Sequence, residues 1–159
     1  MKKLAFIITF LVAYSINVFA QSLMNINIDN YSISVPEGWS AQYTNSQPVF
    51  ILLAPLDEND TFQENANLTV EKLFAKITPP EYLQATREIL SKVYSDFELV
   101  SSGNDYHVIS GILNGVAVTQ LQCVAIKNNT AYTMTYSSTP DSFMQYLDTF
   151  LLIQSTFKY

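Results

Sequence analysis

The stretch that most constrains this fold is 106–137, three strand-like segments joined by two tight-turn signals. Tyr106 to Leu113 reads as a strand and runs into Asn114-Gly115. The favoured two-residue hairpin turn needs positive φ at both central positions, which Asn and Gly tolerate best. Val116 to Ile126 then alternates. Val116, Val118, Gln120, Gln122, Val124 and Ile126 take one face, and Leu121, Cys123 and Ala125 take the other. Lys127-Asn128-Asn129 supplies the second turn, and Thr130 to Ser137 the third strand. Connections this short join only antiparallel neighbours. An antiparallel meander is therefore expected at the centre of the fold.

The remaining segments read as elements built around that sheet. Tyr31-Ser32-Ile33-Ser34-Val35 alternates like a half-buried strand, with Ile26 and Ile28 in the same or a preceding short one. Pro36-Glu37-Gly38 reads as a turn that returns Trp39 to the core. Val49 to Ala54 is an apolar run of strand length, and Asn67 to Leu73 a further strand. Between them, 55–66 forms a long polar loop carrying Asp57, Glu58, Asp60 and Glu64.

Thr78-Pro79-Pro80-Glu81 has the cap, early proline and third-position glutamate of a helix start. The apolar stripe predicted for that helix is Tyr82, Thr86, Ile89, Val93 and Phe97, widened by Leu83, Leu90 and Tyr94, with Arg87 on the outer side. Ser138-Thr139-Pro140-Asp141 predicts the start of a second helix with a broad apolar side, followed by a short edge strand or a tail over 155–159. The predicted class is α+β, an antiparallel sheet flanked by two main helices in an α-β-α sandwich.

The N-terminus reads as an address. Met1-Lys2-Lys3, an apolar run from Leu4 to Tyr14, and Val18 and Ala20 at the positions a signal peptidase reads make residues 1–20 a signal peptide. Cleavage is expected after Ala20, leaving 21–159 as a single domain, secreted or periplasmic, with no remaining membrane span. Losing Lys2 and Lys3 takes the net charge from −6 to −8. A surface this acidic repels phosphate backbones and anionic lipid, so nucleic acid is excluded as a partner. Cys123 is the only cysteine, which rules out an intramolecular disulfide.

Catalytic and metal-binding patterns are scarce. The 57–64 loop offers oxygen ligands at Asp57, Glu58, Asn59, Asp60 and Glu64, but an EF-hand counted from Asp57 would need glycine at Phe62 and an acid at Leu68. A solvated acidic loop is the simpler reading. His107 is the only histidine, expected as a structural or surface residue and not a ligand, and Cys123 reads as a buried, inert thiol. No nucleophile elbow or phosphate-cradling glycine loop appears among four glycines. Glu37, Glu71, Glu98 and Asp105 would have to converge in space to support a hydrolase. No catalytic, cofactor or metal residue is assigned. Tyr132, Thr133, Thr135, Tyr136 and the Gln120–Gln122 face are candidates for a polar-aromatic binding surface on the meander.

The stretch from Tyr31 to Trp39 (Tyr-Ser-Ile-Ser-Val-Pro-Glu-Gly-Trp), the run from Phe62 to Val70, and the closing Phe143, Phe150 and Ser155-Thr156-Phe157 together resemble the PsbP-like family. The family is named for an extrinsic photosystem subunit, and a small Ran-binding nuclear-transport factor shares its fold. The resemblance implies an α-β-α sandwich and an accessory or binding role without catalysis. The resulting expectation is a noncatalytic binding protein of the cell envelope, acting on an envelope protein through a sheet face or the acidic loop. A small-molecule or calcium binder stands second and a hydrolase third. The intact mass of the exported protein is expected to begin at Gln21; a mass that includes residues 1–20 would refute the cleavage.

Overall fold

A computed structural model describes residues 22–28, 31–56, 58 and 60–159; the leader, the Ala20 cleavage position, Asp57 and Asn59 lie outside the described residues. The elements are β1 (Leu23–Ile28), β2 (Tyr31–Pro36), β3 (Ser40–Tyr43), β4 (Phe50–Leu53), β5 (Asn65–Lys72), α1 (Pro79–Val93), β6 (Ser95–Ser102), β7 (Tyr106–Leu113), β8 (Val116–Lys127), β9 (Thr130–Ser138) and α2 (Phe143–Thr156). Seven strands form one sheet in the order β3-β4-β5-β9-β8-β7-β6, and β1-β2 form a separate two-stranded ribbon.

The meander is present as expected. Asn114 and Gly115 have φ of 52° and 82°, and Asn128 and Asn129 have φ of 52° and 56°, so both hairpins close on two positive-φ residues. β7, β8 and β9 pair antiparallel through continuous registers. The Pro36 turn closes with a Trp39 N–H to Pro36 C=O bond at 3.2 Å. Gly38, at φ 91°, occupies its third position, where a side chain would be strained.

Alternation along the sheet gives its two faces different chemistry. Phe50, Leu52, Ala66, Leu68, Met134, Tyr136, Leu121 and Val108 are buried on one face with Ile33, Val35 and Trp39 from the β1-β2 side and Phe143, Phe150 and Ile153 from α2. This is the main core. Phe150 meets Tyr136 at a ring separation of 5.2 Å, and the Tyr136 hydroxyl donates to Gln154 Oε1 at 2.8 Å. The end of α2 is fastened to β2. Thr156 Oγ1 accepts from the Ser34 N–H at 2.9 Å, and Ser32 and Lys158 exchange backbone bonds of 3.0 and 2.8 Å. The tail over 155–159 thus adds a single bridge beside β2. On the other face α1 packs through a small cluster of Leu83, Val124 and Ala131.

Three expectations need correction. The first helix ends at Val93, short of Phe97 where the expected stripe ends: Tyr94 leaves helical geometry at ψ 133° and the chain enters β6. Its inward face is also shifted: Leu83 and Tyr94 of the expected stripe are buried, but Ile89 and Val93 are exposed and Arg87, expected outside, reaches His107. The second helix begins at Phe143, since β9 runs through Ser138 and Thr139 Oγ1 accepts from the Ser142 N–H at 3.2 Å before the helix starts. β3 and β6 were not anticipated as strands; both are mainly exposed edges with little alternation.

Phe150 is fully buried between the sheet and the rest of α2. Phe150→Ala is expected to cost about 3–5 kcal/mol in urea denaturation with m unchanged. A loss under about 1 kcal/mol would show that α2 does not close the core.

Candidate functional site

α1 lies on a polar strip of sheet. His107 is fully buried and Gln122 nearly so, on adjacent strands. Arg87 Nη1 stands 3.4 Å from His107 Nδ1, and His107 Nε2 stands 2.9 Å from Gln122 Oε1. Arginine only donates, so Nδ1 is the acceptor and the ring proton sits on Nε2, donated to Gln122. The imidazole is neutral. Burial pushes its pKa down and the Arg87 charge adds to that, against the opposing Gln122 bond.

Beside this pair, Tyr94 donates to Gln120 Oε1 at 2.8 Å, and Gln120 Nε2 donates to Ser137 Oγ at 2.9 Å. Tyr82 donates to Glu71 Oε2 at 3.0 Å and accepts from Thr133 at 3.4 Å. Burial raises the pKa of both tyrosines. This strip explains why Arg87 of α1 and Tyr94 just after the helix turn inward: buried glutamine and histidine require hydrogen-bonding partners. Of the two expectations for His107, structural or surface, its burial and bonding fit the structural one.

The polar-aromatic surface expected on the meander is divided between the two faces. Gln120, Gln122, Thr133 and Thr135 lie on the α1 side, whereas Tyr136 is fully buried in the main core. Tyr132 joins Tyr31, Phe157 and Tyr159 in an aromatic cluster, stacking on Tyr159 at 4.4 Å. One-residue steps on a strand change face, so neighbours in sequence cannot share a surface.

In the acidic loop, Glu58 and Asp60 are exposed, but Glu64 turns inward. Its Oε1 accepts from Ser142 Oγ at 2.5 Å, which ties the loop to the entry of α2. Asn65 donates to the Gln63 carbonyl, and Gln63 to the Ala54 carbonyl, closing the loop on itself. Glu64 therefore serves packing. The four acids considered for a hydrolase do not converge: Glu71, bonded to Tyr82, stands four strands from Glu98, and Glu37 sits in the turn after β2.

A concave surface forms where α2 stops short of the sheet edge. A groove of about 580 Å³ runs between α2 and β6-β7-β8, with Met144, Leu147 and Leu151 on one wall and Val100, Tyr106 and Leu121 on the other. Met144 is 72 % exposed, Val100 54 % and Leu151 49 %. Cys123 lies in the lining, and burial, with Asp105 nearby, pushes its thiol up to about 12. The thiol is therefore held in its protonated form, although it is half-buried and not buried as the sequence suggests. A second hollow of about 480 Å³, lined by Asn25, Ser34 and Thr156, is the seam between β1-β2 and α2. Its side chains already bond one another, with Ser34 Oγ donating to Asn25 Oδ1 at 2.6 Å.

The groove was absent from the sequence reading. Its one signal is that Met144, Leu147 and Leu151 form an apolar line beside the buried Phe143–Phe150 pair, more than one core contact requires.

His107 titrates near 6.5 in an unfolded chain and lower in the folded one. The unfolded chain therefore binds more protons as pH falls below about 6.5, and stability present at neutral pH is lost toward the depressed folded pKa, by at most about 1.4 kcal/mol per pH unit. His107→Gln is expected to flatten the Tm profile between pH 7 and 5. An unchanged slope would place the proton uptake elsewhere.

No protein-family model and no curated protein matches the chain. Solved structures do. Cyanobacterial PsbP (CyanoP) from Synechocystis sp. PCC 6803 is 14 % identical, covering 89 % of this chain and 95 % of that one at a TM-score of 0.61. The Ran-binding protein Mog1p of Saccharomyces cerevisiae is 9 % identical, covering 87 % and 95 % at 0.62. LpqN of Mycobacterium tuberculosis, involved in cell envelope biogenesis, is 16 % identical, covering 86 % and 90 % at 0.53. At such identities the likeness shows architecture alone. The antiparallel sheet with a helix on each face, expected from the resemblance, is the PsbP-like fold.

Proposed function

We propose that this chain is an exported, noncatalytic accessory domain that binds a protein of the cell envelope through the groove between α2 and the meander. The observation that carries the reading is the exposed apolar lining of that groove, in which Met144, Val100 and Leu151 stand open beside a continuous core. Apolar surface gathered in a concavity is what protein and ligand sites use. Export rests on the charged, apolar and small-residue pattern of 1–20. An envelope role has a parallel in LpqN, and a binding role in Mog1p, among proteins of this fold.

A small apolar molecule is the second reading, favoured by a groove volume within the roughly 300–1,000 Å³ typical of ligand sites. Calcium has less support, because Glu64 is committed to Ser142.

A photo-crosslinking residue at Met144 is expected to capture an envelope protein in the native cell, whereas one at Ile89, exposed on the outer side of α1, captures none. Equal capture at both positions, or capture at Ile89 alone, would remove the groove from the function.

A further inference from the structure

The one charged residue in the lining of the groove is an acid, Asp105. Between Val93 and Phe157, the segment that builds both of its walls, stand five carboxylates, Asp96, Glu98, Asp105, Asp141 and Asp148, and one basic side chain, Lys127. Asp105 lines the groove, and its backbone carbonyl accepts from the Val124 N–H at 2.8 Å, which fixes the loop that carries it. Asp148 follows Leu147 on α2 and lies one turn from both Met144 and Leu151 on the same side of the helix. Lys127 stands on β8 two residues beyond Ala125 of the lining, but its ammonium lies 5.5 Å from the Tyr159 ring centre, over that ring. An apolar floor with acids beside it, and no lysine or arginine among its lining residues, selects for occupants by charge.

Resting on the groove reading above, we infer that the partner's docking segment is an apolar stretch of polypeptide flanked by lysine or arginine. Anionic lipid surfaces are repelled by the same acids. Strand addition at the neighbouring edge is hindered, because β6 carries register breaks between Ser95 and Glu98 and between Leu99 and Ser101. The partner therefore seats side chains between α2 and the sheet and does not extend the sheet. Met144, exposed and flexible, adapts to the side chain it receives.

The test uses three labelled synthetic peptides with one leucine-rich core, flanked by lysine, serine or glutamate, and the domain from Gln21 onward or the full chain as purified. In fluorescence anisotropy the lysine-flanked peptide is expected to bind about tenfold more tightly than its glutamate twin, with the gap closing in high salt. Asp105→Asn combined with Asp148→Asn should abolish that preference and leave the serine-flanked peptide unaffected. Met144→Glu, at an exposed position, should weaken all three.

Equal affinity for the three peptides, with Met144→Glu still weakening them, overturns the charge inference and leaves the groove reading standing. Binding that Met144→Glu does not touch, or no binding to any peptide, overturns both. Preference for phosphatidylglycerol vesicles over the lysine-flanked peptide likewise overturns the inference.

Discussion

The structure depends on how β8 distributes its side chains. Leu121 and Cys123 point into the layer shared with α2, while Gln120 and Gln122 point toward α1. Each helix consequently meets a different surface. α2 is held by apolar burial around Phe150, worth about 25 cal/mol for each Å² removed from water. α1 is held by a small apolar cluster and a set of hydrogen bonds whose donors and acceptors cannot be left unpaired without a penalty of about 1–3 kcal/mol each. The two sides of one sheet are stabilised by different physics.

That difference explains which parts of the fold were legible in sequence. The meander was readable because its turns need positive φ, and Asn114-Gly115 and Asn128-Asn129 satisfy that need locally. The start of α1 was equally local: Thr78 and Glu81 form a complete capping box, and the bonds to Thr78 hold the Glu81 carboxyl below its usual pKa. The orientation of α1 was not readable. A hydrophobic stripe assumes a greasy surface beneath the helix, and here the surface is His107 and Gln122, so Arg87 turns in and Ile89 turns out. β6 escaped notice for a related reason, since an exposed edge needs no alternation.

The groove illustrates a limit of another kind. Nothing local states that α2 will cover one part of the sheet and leave β6 and Tyr106 at the start of β7 exposed; that follows from where Thr156 and Lys158 fasten the helix to β2. The position of a helix on a sheet is a tertiary decision, and a concavity appears wherever cover ends. The surplus of apolar residues on α2 was visible beforehand, but its meaning depended on that anchoring.

The protonated state of Cys123 has a further consequence. Thiolate is the species that attacks disulfides and oxidants, and a thiol held at about 12 presents almost none of it at neutral pH. An unpaired cysteine carried into oxidising surroundings ordinarily invites covalent dimers between chains. Seated where it is, Cys123 offers little of the reactive form, so its place in the fold and not a second cysteine restrains it.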